Sequence, residues 1–473
     1  MVLRNSLLYL AGRLFPAVLQ LAALALFSRL LTPSEYGRYA MIVAAAAIAN
    51  GFIFQWSSLG VFRFLPAAGS REPVSISTAY RVLAALAVLC VAVSAATLVI
   101  LNNAQRLVVV AGLLVLLTQA TYELTQQIFV AREQPFRFGL VAVTRALVAI
   151  GVGTALLLLG WREWGVLIGV AAGFLLPAAL GGWHGIRLSA STAGDPGRVR
   201  DYWRYGFPIS LSIGVLLLAH SGDRLIIGFL ADSASAGVYS VAYDLGAQSV
   251  TMIMMVVNMA AYPMVIRILD QIGADAARRQ LRRNGIVLMA VGLWIAVCLT
   301  ALAADMSTLL LGAPFRSQAA LIIVPVSVAS LLNGIRAFYF DTAFQLARRT
   351  GNQIWIATSV AVTGTVLNVV LVPAFGAYGA AWAALAASIS GLVTSRVLGI
   401  KIFPIPVPWG DWGRLAAAGG LVFMLLASMG NGAGVLMLIL KLVLAALAFT
   451  LIAVILDVGD SRRLAVQWVH AVF

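Results

Sequence analysis

"SRLLTPSEYGRYA", Ser28 to Ala40, sets two arginines, a glutamate, a proline and a Gly-x-Tyr between two apolar runs. In the second half of the chain "DRLIIGFLADSASAGVYSVAY", Asp223 to Tyr243, has the same layout, with an Arg-Leu near the end of one apolar run and a Gly-x-Tyr opening the next. Gly37 and Tyr39 correspond to Gly237 and Tyr239, 200 residues apart. Two further echoes have similar offsets: Ala131-Arg132 with Ala347-Arg348, and Gly153-Thr154 to Gly165 with Gly364-Thr365 to Gly376. Each is weak alone. Together, in matching order, they predict an internal repeat of parallel orientation.

The residues around these turns decide what kind of unit is repeated. Hydrophobic residues make up 62% of the 473, charged residues 10%, and the mean hydropathy is +0.98, outside the range of soluble domains. A bilayer-spanning helix needs about 20 apolar residues. The chain offers fourteen such runs, near 9–31, 37–61, 79–101, 107–131, 139–160, 164–183, 206–230, 236–266, 285–305, 318–346, 353–373, 377–399, 414–429 and 433–457. The expected fold is an all-α polytopic membrane protein. It has two six-helix lobes related by a pseudo-twofold axis along the membrane normal around a central cavity, with two helices appended. The longest polar stretch, 184–205, marks a boundary. It divides the chain into an N-terminal lobe 1–184, a linker 185–205, a C-terminal lobe 206–400, and residues 401–473 with helices 13–14 and a tail.

Lys and Arg counts orient the chain. If the N-terminus is cytoplasmic, that side holds 22 of the 32 basic residues and the other side holds 5, namely Arg29, Arg38, Arg106, Arg162 and Arg316. Both termini are therefore expected in the cytoplasm. The N-terminus "MVLRNSLLYLAGRLFP" runs into its apolar segment without a small-residue cleavage site and is expected to be the first span.

The net charge of +15 is dispersed over short loops with no basic domain, which argues against nucleic acid. Cys90 and Cys298 both lie in apolar runs and read as small buried hydrophobes. With three histidines, no metal-ligand cluster, no Gly-rich phosphate loop and no GxSxG, catalysis has little support. No ATP motif is present, so the energy source is a substrate gradient or proton or Na+ coupling, with no cofactor or metal expected.

Nine ionisable groups fall inside spans: Arg13, Glu123, Arg145, Asp223, Arg224, Asp244, Arg336, Asp341 and Lys441. Facing lipid at the bilayer centre would cost about 2.5–3.5 kcal/mol each, on the order of 25 kcal/mol in all. Most must face protein or water. Helical spacing agrees, since Gln119, Tyr122, Glu123 and Gln126 share one face of the fourth span and Ser240, Asp244 and Gln248 one face of the eighth. Ser330, Asn333 and Asp341 lie near one stripe of the tenth span, and Arg13, Gln20 and Ser28 on one side of the first. A water-filled lumen accounts for these faces.

Alternatives stand beside several of these residues. Arg13 and Arg145 read as anion contacts or as snorkelling side chains near the cytoplasmic ends. Asp223-Arg224 reads as an intramembrane pair or an interfacial one. Lys441 reads as an interfacial anchor, and His220 as a packed neutral side chain. Glu123, Asp244 and Asp341 are candidates for ion coupling, for lining, or for pairing with Arg336. The Gly165, Gly169 and Gly173 stripe reads as helix packing.

"RLLTPSEYGRYA", "DRLIIGFLADSASAGVYSVAY" and "LNVVLVPAFGAYGAAWA" resemble the oligosaccharide-lipid flippases of the multidrug/oligosaccharidyl-lipid/polysaccharide exporter superfamily, over nearly the whole chain. The resemblance implies two lobes around a V-shaped cavity whose polar residues, often arginines, receive an undecaprenyl-diphosphate-linked oligosaccharide for O-antigen or exopolysaccharide. It places Arg29, Glu35, Gly37 and Tyr39, with Asp223, Arg224, Gly237 and Tyr239, at motif positions that shape the cavity rim. Candidate substrate contacts are Arg13, Arg145, Arg224, Arg336, Gln119, Tyr122, Gln126, Gln248 and Asn333, because arginine pairs bidentately with diphosphate and polar or aromatic groups meet sugar. Expected partners are that substrate, membrane lipids, and polysaccharide polymerase and chain-length proteins. The competing readings are a cation-coupled multidrug exporter of the same superfamily, which five basic against four acidic intramembrane residues disfavour, and a membrane enzyme of polysaccharide assembly.

Overall fold

The computed structural model describes residues 2–347, 349–430, 432 and 434–460, except the side chains of 2–11, 13, 184, 186, 188–190, 350 and 460. Sixteen α-helices account for most of it, and no strand occurs among the described residues. In order they are α1 Val2–Leu30, α2 Pro33–Ile53, α3 Gln55–Phe64, α4 Glu72–Ile100, α5 Asn103–Ala131, α6 Pro135–Leu156, α7 Arg162–Ser191 and α8 Pro196–Leu230. Then follow α9 Ser233–Gln271, α10 Ala274–Ala301, α11 Ala303–Leu310, α12 Arg316–Ile335, α13 Thr342–Leu346, α14 Gln353–Ile400, α15 Trp409–Ser428 and α16 Val435–Ile455. Two π-helical segments, Leu157–Trp161 and Arg336–Phe340, interrupt the α-geometry.

Ten helical stretches are long and apolar enough to cross a membrane. Two of these, Pro135–Trp183 (49 residues) and Gln353–Ile400 (48 residues), are long enough to cross twice, at about 1.5 Å per residue against a core of about 30 Å. The chain reverses within them at Gly160 to Arg162 and at Gly376. With α1 and α15 this makes the fourteen spans that the apolar runs predict. The protein is an all-α, multi-pass membrane protein.

The chain forms two compact units, residues 1–237 and 238–473. In the first, α6 and α7 pair along their length, α1 lies on α6, α5 on α7, and α2 and α3 pack on α8. The glycine stripe of α7 explains the close α6–α7 approach: a Cβ on Gly169 would lie 2.5 Å from Gly153 Cα, and one on Gly173 2.8 Å from Ala149 Cβ. In the second unit α12 packs on α14 and α10, α10 on α15, and α15 on α16.

Local chemistry repeats with the sequence. Thr32 caps α2 through a reciprocal box: its Oγ1 accepts from Glu35 N at 3.3 Å, and Glu35 Oε2 accepts from Thr32 N at 2.9 Å, with Pro33 at the first helical position. Asp232 Oδ1 accepts from Ser235 N at 2.6 Å at the start of α9. The turn echo needs one correction. The residue that reverses the chain is Arg162 (φ 46°, ψ −136°) in the first unit and Gly376 (φ 55°, ψ −136°) in the second. The packed glycines behind these turns are Gly165 and Gly379. Both pairs are 214 residues apart, so the Gly165–Gly376 match is three residues out of register. Arg348 of the Ala347-Arg348 echo lies outside the described residues.

Candidate functional site

In the first unit a polar cluster forms where α2, α5, α6 and α7 meet. Glu123 on α5 accepts from Gln119 Nε2 at 2.8 Å, one turn earlier, and from Asn50 Nδ2 of α2 at 2.7 Å. Gln126 Nε2 donates to Tyr122 Oη at 2.7 Å and to the Phe138 carbonyl at 3.4 Å. The guanidinium of Arg145, on α6, lies 5.5 Å from the centre of the Tyr122 ring and 4.8 Å from that of Phe174 on α7. It makes no ion pair or hydrogen bond with the described residues. Asn50 Oδ1 and Gln126 Oε1 are buried acceptors without a donor there. The face predicted on α5 therefore exists, and its partner is Arg145. Sequence reasoning missed Asn50, although a lone amide in the apolar run 41–53 signals it.

Aromatic faces attract a partly exposed guanidinium by about 0.5–2 kcal/mol. Arg145 is half-buried and oriented between the two rings. Arg13 lies on α1, with its side chain outside the described ones.

The second unit treats its arginine differently. Arg336 donates to Asn333 Oδ1 from Nε at 3.1 Å and Nη2 at 2.7 Å, and its Nη1 lies 3.3 Å from Asp341 Oδ2. Asp341 Oδ1 accepts from Ser395 Oγ at 2.5 Å. Arg336, Asp341 and Ser395 are all buried. Residues five apart lie about 140° apart on an α-helix, so this pair depends on the π-segment, where Asp341 N donates to the Arg336 carbonyl at 2.8 Å. Of the alternatives open to Asp341, the structure shows pairing with Arg336. Asp223 is buried, and it, Arg224, Asp244, Gln248 and His220 all have partners.

Lys441, expected as an interfacial anchor, is buried in an ion pair and reaches back to the loop between α15 and α16. Its side chain is fully buried, and Nζ donates to Asp305 Oδ2 and to the Gly430 carbonyl, both at 2.6 Å, while Asp305 Oδ1 accepts from Gly432 N at 3.2 Å. Asp305 sits at the edge of the ninth apolar run, where the sequence does not distinguish it from a loop residue.

At the elbow between α1 and α2 the motif residues interlock. Gly37 and Gly237 face each other so closely that a Cβ on Gly37 would overlap the Ser233 carbonyl oxygen, and one on Gly237 the Pro33 carbonyl oxygen. Ser34 and Ser233 share a hydroxyl hydrogen bond of 2.8 Å. Glu35 Oε1 pairs with Arg162 Nη1 at 3.1 Å, and Arg38 with the buried Glu163 at 2.7 Å, so both join α2 to the α6–α7 turn. Glu35 therefore braces the elbow. Tyr39 stacks edge-on against Tyr36, Tyr239 is buried beside Tyr243, and Arg29 is partnered.

A family model described as "polysaccharide biosynthesis protein" matches residues 26–320, more than half of the sequence, elbow motif and Arg145 included. The chain belongs to the polysaccharide biosynthesis protein family. No curated protein sequence matches it significantly. Among solved structures, a lipid II flippase, MurJ, in an inward closed conformation aligns at TM-score 0.73 and 14% identity, covering 95% of this chain and 99% of that one. A Pyrococcus furiosus transporter of the MOP superfamily aligns at 0.54 and 11%, covering 90% and 96%. A MATE transporter in complex with MaD3S aligns at 0.56 and 11%, covering 85% and 96%. This polysaccharide biosynthesis protein thus has the MOP-superfamily fold.

Proposed function

We propose that this family member flips undecaprenyl-diphosphate-linked oligosaccharide repeat units from the cytoplasmic to the periplasmic leaflet of a bacterial inner membrane, by alternating access, for O-antigen or exopolysaccharide assembly. Both termini are then cytoplasmic, as the asymmetry of basic residues suggests. The observation that carries the reading is Arg145, an arginine inside a span, held by two aromatic faces in the field of Glu123 but without an ion pair or hydrogen bond to the described residues. A diphosphate supplies an anionic partner, and arginine recognises it through paired N–H donors. The unpaired amide oxygens of Asn50 and Gln126 offer acceptors to sugar hydroxyls. Glu123 is the first unit's candidate for proton or Na+ coupling, since its partners there are neutral amides. In this reading the protein works with a polymerase and chain-length proteins and catalyses no covalent step.

The test is a deletion strain complemented with wild type or Arg145→Ala. Wild type restores surface polysaccharide, whereas the variant inserts normally and leaves lipid-linked units on the cytoplasmic face. Normal polysaccharide with drug hypersensitivity in the deletion would replace this reading with a multidrug exporter.

A further inference from the structure

Arg162 reverses the chain between α6 and α7 at φ 46° and ψ −136°, a conformation strained for any residue with a side chain. The second unit makes the same reversal with Gly376. Its pairing with the buried Glu35 braces the elbow but uses little of the side chain. The Arg162 side chain is 74% exposed and only Nη1 reaches Glu35. The other N–H groups of Arg162 make no hydrogen bond with the described residues.

Arg162 also stands at the mouth of a groove of about 630 Å³ between α5 and α7, within the range of about 300–1,000 Å³ of small-molecule sites. Val110 and Leu114 form one wall, Trp164 and Ile168 the other, with Trp161 at the rim. Arg162 is the sole charged residue in this lining. Trp161 is 53% exposed, and exposed tryptophans at the end of a span settle at headgroup level. A cation at headgroup level above an apolar trough matches the two parts of an anionic lipid.

We propose that this groove binds an anionic phospholipid of the elbow-side leaflet, with the phosphate on Arg162 and a hydrocarbon chain between α5 and α7. The strained arginine is then retained for the headgroup, and the bound lipid fills the space beside the ion-paired elbow. The inference does not depend on which substrate the protein carries.

The test uses the full-length protein in phosphatidylcholine nanodiscs doped with phosphatidylglycerol carrying a photoactivatable chain, followed by peptide mapping of adducts. Adducts are expected on residues 107–114 and 159–168. Arg162→Gly, which suits the backbone as Gly376 does, should lower them by about fivefold, the effect of one cation near an anionic surface. Ala111→Trp, which fills the groove and keeps the arginine, should lower them equally, and Arg162→Lys should largely retain them. Unchanged labelling of Arg162→Gly would overturn the proposal. So would equal labelling by a phosphatidylcholine probe, or displacement by purified lipid-linked oligosaccharide, which would assign the groove to the cargo.

Discussion

Arg145 in the first unit and Arg336 in the second are both arginines within apolar spans, and the fold gives them opposite surroundings. Arg336 is buried against Asp341 and Asn333, its charge matched and its donors used. Arg145 rests between Tyr122 and Phe174, in the field of Glu123 but with no ion pair or hydrogen bond to the described residues. A paired arginine serves the fold, and an unpaired one is available to a ligand. The contrast separates two residues that composition and spacing leave equivalent.

The strongest way to break the contrast is to unmatch Arg336. Asp341→Ala leaves a buried guanidinium with only an amide, and removing one member of a buried pair costs about 3–5 kcal/mol. Unfolding in mixed micelles should show a loss of that size, whereas Arg145→Ala should change stability far less. The pair that joins α16 to α11 sharpens the point: Lys441→Met alone should cost a similar amount. The double variant Lys441→Met with Asp305→Leu should recover most of it, because a buried pair replaced by apolar groups is often neutral. A smaller effect, about 1–3 kcal/mol of overpacking, is expected for Gly237→Ala, whose methyl meets the Pro33 carbonyl oxygen. The smallest is expected for Asp275→Asn, which removes an exposed pair with Arg278 at the start of α10 and should lower stability by about 0.2–1 kcal/mol.

These features differ in how far the sequence discloses them. The spans and the repeated elbow are legible because apolar length and a Gly-x-Tyr after a polar turn are local signals. Gly37 and Gly237 align as counterparts in sequence and meet in space. The polar face of α5 follows from helical period. The Arg336–Asp341 pair does not, because a spacing of five is not a helix face until a π-segment makes it one. Lys441 and Asp305 are 136 residues apart, and no periodicity connects them. The turn register is hidden by three residues, because glycine identity points to Gly165 and Gly376 while the shared backbone conformation belongs to Arg162 and Gly376.

The central claim is that Arg145, and not Arg336, meets the anionic substrate. Export of lipid-linked oligosaccharide into the opposite leaflet of proteoliposomes, measured for Arg145→Gln at protein amounts matched to wild type, tests it most directly. The account predicts loss of export with insertion retained and a loss of unfolding stability well below that of Asp341→Ala. Export at the wild-type rate by Arg145→Gln would contradict it.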